Sequence, residues 1–150
     1  NQAVEECRSI RRIDPASSYA AFSHGLVCAQ GGDKQEAIEA FLDAVRLGEG
    51  ITLYLVTLAY GLAVGGEHEE ARAMLADLEQ RAKTEFVWPM GMAMAYAHLD
   101  DENTALDYLE KSYEESVGWM LMIGRDPALD VLRGSPRFQS LAAKIGPASA

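Results

Sequence analysis

DKQEAIEAFLDAVRL (residues 33–47) is followed at a fixed distance by EHEEARAMLADLEQR (67–81) and DENTALDYLEKSYEE (101–115). The three stretches are 34 residues apart and align without a gap, placing Ala37, Ala71 and Ala105 in one column. Ala3 extends that column by one more period. A small residue recurs at Gly25, Ala59 and Ala93, a bulky apolar one at Phe41, Leu75 and Leu109, and a turn position at Gly32, Gly66 and Asp100. Cys28, Leu62 and Tyr96 share a further column able to pack in a core. Columns that agree in one register over this period mark a helical repeat array.

Helix pairs joined by short turns follow from the register. Asn1 to Ile13 reads as the second helix of a truncated unit. Ser18 to Gln30 with Lys34 to Leu47 forms the first predicted pair, Thr52 to Val64 with His68 to Ala82 the second, and Phe86 to His98 with Glu102 to Glu115 the third. Asp33 and Glu36 have the spacing of a capping box. Gly31-Gly32 and Gly65-Gly66 stand where a helix end needs positive φ, and Pro89 is placed in the first turn of its helix. Past the third pair, Gly124 and Pro127 replace a helix with turns. Ser135-Pro136 then opens a last helix with Phe138, Leu141 and Ala142 on one face, ended by Gly146.

The charge balance excludes whole classes of partner. The net charge is −10, and residues 16–124 carry 6 basic against 18 acidic side chains. Such a surface repels phosphate backbones, so no nucleic acid is expected as a partner. Apolar residues make up 49% of the chain, but no apolar run approaches the roughly 20 residues a membrane span needs. Glu5, Glu6, Arg8, Arg11 and Arg12 break any signal-peptide core at the start. Cys7 and Cys28 lie in inward-packing columns and read as reduced core thiols, which points to a cytoplasmic setting.

The columns Ala37–Phe41–Ala44, Ala71–Leu75–Leu78 and Ala105–Leu109–Ser112 resemble the second-helix signature of the tetratricopeptide repeat family. A partial copy, Ala3–Cys7–Ile10, ends on the family's closing proline, Pro15. The resemblance covers about residues 1–117. It implies an all-α, right-handed superhelix of antiparallel helix pairs: a partial repeat at 1–17, full repeats at 18–51, 52–85 and 86–119, and a degenerate repeat or capping helix over 118–150. The tail is similar to that of bacterial signalling proteins carrying these repeats, among them winged-helix regulators, nucleotide cyclases and serine/threonine kinases. The matching residues are Asp126, Pro127, Leu132, Arg133, Pro136, Arg137, Phe138 and Leu141. Because the chain opens inside a repeat, it reads as part of a longer protein with an effector domain upstream of Asn1.

No constellation of residues points to catalysis. The glycine pairs follow no strand and carry no Lys-Ser/Thr, so they are turns and not phosphate loops. His68-Glu69 starts like a zinc-protease motif, but Arg72 stands where the second histidine belongs. His24, His68 and His98 fall in three different columns, so no metal ligand set is visible. No cofactor, metal or catalytic residue is expected, and the chain reads as a non-enzyme.

What the resemblance implies is a binding groove on its concave side, lined by first helices. Here those positions are Tyr19, Phe22, Leu26, Val56, Tyr60, Met90, Met94 and His98, nearly all apolar. The Lys, Arg and Asn with which some family members clamp acidic chaperone tails are missing. The expected partner is a protein or peptide with an apolar or amphipathic segment, with Tyr60 as central anchor. Two further readings stand beside it: an autoregulatory arm touching the protein's own upstream domain, and a sensor of apolar small molecules. The strip would alternatively be core, or be covered by Trp119 and Met122.

Overall fold

A computed structural model describes residues 2–115 and 123–145. They form only helices and turns. The α-helices are α1 (Gln2–Ile13), α2 (Ser18–Gly31), α3 (Lys34–Leu47), α4 (Thr52–Gly65), α5 (His68–Arg81), α6 (Pro89–Ala97), α7 (Glu102–Glu114) and α8 (Pro136–Ile145), with a 3-10 helix, Pro127–Leu132, between the last two. No helix among the described residues is long and apolar enough to cross a membrane. The positions assigned to Trp119, Met122 and Gly146, and the 117/118 boundary, lie outside the described residues.

The 34-residue register reappears in the turns. Gly32 and Gly66 sit at φ 87° and 96°, and Asp100, at the same step, is held at 59°. Behind each, an amide closes the helix end on a carbonyl five residues back: Asp33 N–H on Cys28, Glu67 N–H on Leu62 and Asp101 N–H on Tyr96, at 3.0, 2.9 and 3.1 Å. This is the wide bond of a Schellman cap, with glycine or a short polar residue in the left-handed position.

Two local expectations need correction. Asp33 and Glu36 form no capping box, for the Asp33 side chain caps nothing. Its backbone N–H is already taken by Cys28, so Glu36 has no amide to reach back to and turns elsewhere. The same column caps normally at Asp101, which accepts from the Thr104 amide. The third first helix is also shorter than predicted. Residues 86–88 are not helical, and α6 begins at Pro89 itself, since proline disfavours the helical region for the residue before it.

The chain divides into two compact units, Asn1–Trp88 and Pro89–Ala150, a division that falls inside the 86–119 segment. In the first, α2 packs on α1 and α3, and α4 lies between α3 and α5. Its centre is Phe41 of α3. A methyl placed on Gly25 of α2 would stand 2.6 Å from the Phe41 ring, and one on Gly61 of α4 only 2.5 Å. The ring of Tyr60 meets Phe41 edge-on at 6.4 Å. Ala37, Ala71 and Ala105 are fully buried, as are Leu75 and Leu109.

In the second unit every residue of α6 is buried, as suits a helix that is apolar all round. Tyr96 of α6 stacks on Tyr108 of α7 with centroids 5.8 Å apart. Each tail residue with the signalling-protein resemblance has a structural task. Asp126 accepts from the Ala128 amide and Pro127 opens the 3-10 helix. Arg133 donates to the Gly124 carbonyl at 2.5 Å. Leu132, Phe138 and Leu141 are buried, and Pro136 starts α8. Arg137 reaches back to α7, donating to both oxygens of Glu110 at 2.9 and 2.7 Å and to Asp107 at 2.6 Å.

Two predictions follow from this packing. Ala71→Leu overpacks a closed helix contact and lowers stability by about 1–3 kcal/mol in urea unfolding, whereas Ala73→Leu, on the exposed side of the same helix, changes it little. The second concerns the Arg137 clamp. Hydrogen bonds from Arg137 hold the Glu110 carboxyl below the ordinary glutamate range. A depressed carboxyl stabilises the fold above its unfolded pKa and loses that contribution as pH falls through the folded value. Arg137→Gln therefore costs about 1 kcal/mol or less at neutral pH, the clamp being half-exposed, and the gap to the unsubstituted chain closes as pH drops below the glutamate range.

Candidate functional site

The structure separates the eight positions assigned to the groove. On α2, Tyr19 is 68% exposed, and Phe22 and Leu26 are half-buried. On α4, Val56 and Tyr60 are buried, with Tyr60 only 2% exposed. Met90 and Met94 of α6 are buried as well. His98 is half-buried, and its Nε2–H donates to the Ala128 carbonyl at 3.0 Å, which ties α6 to the 3-10 helix. Tyr60 is thus a core residue against Phe41 and not a surface anchor. The apolar columns are open on α2 and closed by the time the chain reaches α4.

What remains at the surface is an aromatic step. Tyr19 and Phe22 lie with ring centroids 5.8 Å apart, and Phe22 lies 5.9 Å from Tyr54 of α4. The Tyr54 hydroxyl and Ser18 Oγ are 3.0 Å apart, joining the starts of α2 and α4. Leu53 and Leu47 pack at the foot of this step, around buried Ala21, Ala44 and Tyr54.

A second, polar place lies where α1, α2 and α3 meet. Arg8 and Arg11, three apart on α1, face the same way. Arg8 donates to Glu36 Oε1 at 2.9 Å and to Oε2 at 2.5 Å. Arg11 pairs with Asp43 and comes within 3.5 Å of His24 Nδ1. His24 is 4% exposed. Its Nε2 is 3.2 Å from Glu36 Oε1, but the approach lacks hydrogen-bond direction and the nitrogen has no partner. One turn on, Cys28 is fully buried. The ligand atoms of His24, Cys28 and Glu36 lie within 4.8 Å of one another. An open cleft of about 400 Å³ exposes His24 and Glu36 beside Arg8, Arg11, Arg12 and Pro15.

Electrostatics follow this geometry. The Arg8 hydrogen bonds hold Glu36 below the ordinary carboxylate range, and Arg11 does the same for Asp43. Burial lowers the His24 pKa against the opposing pull of Glu36. Burial also pushes the Cys28 thiol up to about 11. The half-buried Cys7 thiol is raised too, mainly by burial.

No protein-family model, curated protein or solved structure matches this chain. The reading of the site therefore rests on its own residues.

Sequence reasoning did not find the polar cluster. His24 and Cys28 are one helical turn apart, which is a legible pairing, but Glu36 and Arg8 join them only through helix packing. The structure brings together three side chains of ligand type that share no repeat column. The aromatic positions were legible, though not which of them are open. One outcome distinguishes core from anchor: Tyr60→Ala leaves a cavity beside Phe41 and destabilises the chain by about 3–5 kcal/mol, the range for large buried aromatics, readable as a shift in the urea midpoint.

Proposed function

We propose that this chain is a protein-interaction module of the tetratricopeptide type, which docks an apolar or amphipathic peptide segment of a partner through the aromatic step on α2, and that it is not an enzyme. The observation that carries the reading is the Tyr19–Phe22 pair. A large aromatic that is two-thirds exposed rests on a second ring continuous with the core. Rigid aromatic surface of this kind dominates interface energetics at low entropic cost. The 34-residue recurrence of helix starts and left-handed turns supports the family reading. The resemblance of the tail supports a place in a bacterial, cytoplasmic signalling protein, where the partner is either a separate chain or that protein's own effector domain. The acidic excess over residues 16–124 favours a segment with basic flanks.

Selection of peptides from a display library on the immobilised full chain tests the proposal. The selected peptides are expected to be apolar with Lys or Arg at their margins. Tyr19→Ala and Phe22→Ala should each weaken them by about 2 kcal/mol or more, the hot-spot threshold. Leu42→Ala, an exposed apolar change on α3, should leave binding unchanged. Peptides insensitive to both aromatic changes, or none selected, would refute the assignment.

A further inference from the structure

The meeting point of α1, α2 and α3 holds side chains that the peptide-docking reading does not use. We propose that His24, Cys28 and Glu36 bind one divalent metal ion of the zinc class. Two independent observations carry this. Three side chains of different donor type, from two helices, bring their ligand atoms within 4.8 Å of one another. One of them, His24, is nine-tenths buried, and its Nε2 faces Glu36 Oε1 at 3.2 Å without a well-directed hydrogen bond. Buried polar atoms without a partner are rare and call for an explanation.

The chemistry selects the class of ion. Imidazole with thiolate suits a borderline or soft cation and is a poor set for magnesium or calcium, which want oxygen. A tetrahedral zinc shell, with bonds of about 2.0–2.3 Å, spaces its ligands about 3.3–3.8 Å apart, so the three atoms close on the ion by shifts of about 1 Å. His24 and Cys28, at i and i+4, lie over each other on one helix face. On binding, the Cys28 thiol gives its proton to solvent and its sulfur bonds the metal. One thiolate and one carboxylate then neutralise a dication. The cleft beside His24 and Glu36 supplies water as the fourth ligand.

Arg8 fits as a partner of the ligands. Glu36 holds Arg8 with both oxygens. When Oε1, already facing His24, moves to the metal, Oε2 keeps Arg8, the usual hydrogen-bonded state of a ligating carboxylate. Metal on Nε2 puts the ring proton on Nδ1, so the Arg11 N–H that approaches Nδ1 must withdraw, and Arg11 keeps only Asp43, its closer partner.

Titration of the full chain, purified without an affinity tag, decides the matter, with zinc read against a chromophoric chelator and cobalt read by absorption. We expect one equivalent of either metal and a thiolate-to-cobalt charge-transfer band. Cys28→Ser should abolish the band, and Cys7→Ser should keep it. His24→Gln and Glu36→Gln should each weaken zinc by at least about tenfold, the scale seen even for partners of ligands. Glu70→Gln, at an exposed acidic position, should not matter. Circular dichroism checks that each variant is folded, and if Cys28→Ser is not, the half-buried Glu36→Gln decides alone. No binding, zinc bound equally well by the Glu36 variant, or a band that follows Cys7 would overturn the site.

Discussion

The first unit is organised around a ring held between two glycines. Phe41 of α3 fills the space that side chains on Gly25 and Gly61 would otherwise occupy. The ring has no free direction: moving away from α2 presses it on α4, and Tyr60 closes its edge. Three helices are thus fixed by one side chain and two missing ones. Close-packed interiors transmit such constraints because they hold few voids. The other helix contacts follow the same logic on a smaller scale, with Ala37 and Ala71 fully buried and the end of Ile38 filling the space beside Gly65.

This logic is periodic, and so the fold was legible. A helix that meets its neighbour through a small residue needs a small residue at the same step in each copy. A chain that reverses after each helix needs a residue tolerant of positive φ at the same step. Gly32, Gly66 and Asp100 meet the second need, and their Schellman bonds fall on Cys28, Leu62 and Tyr96, one sequence column. Asp100 shows how far the rule bends, since a short polar side chain tolerates the left-handed region better than most. Where a local signal competed with the repeat, the repeat decided the outcome. The capping-box pattern at Asp33 failed because the preceding Schellman turn had already taken the amide it required.

The site was less legible because burial depends on what covers a column and not only on what stands in it. Tyr19 and Leu53 share a column yet are exposed and half-buried. Periodicity gives each the same direction on its helix and says nothing of the neighbour opposite. The polar cluster was hidden for a related reason. Arg8, His24 and Glu36 belong to three helices; one period on, Leu42 and Leu58 replace the first two and only Glu36 is repeated, at Glu70, so the set as a whole leaves no periodic trace. A helical turn links His24 to Cys28 in sequence, but only packing brings α3 beside them.

The helices at the two ends of the chain are attached by a different chemistry from those between. α1 presents Arg8 and Arg11 to Glu36 and Asp43 of α3, and α8 presents Arg137 to Asp107 and Glu110 of α7. An arginine fork adds direction, because its planar donors fit a carboxylate in few orientations. Pairs this exposed add little to stability, so their main effect is to set register while Val4, Phe138 and Leu141 supply the buried apolar surface. They also explain the uneven charge. Acidic side chains of α3 and α7 meet the arginines of α1 and α8, and Asp77 of α5 pairs with Arg81 of its own helix. In the tail, the arginine of the signalling-protein resemblance, Arg137, clasps α8 to α7.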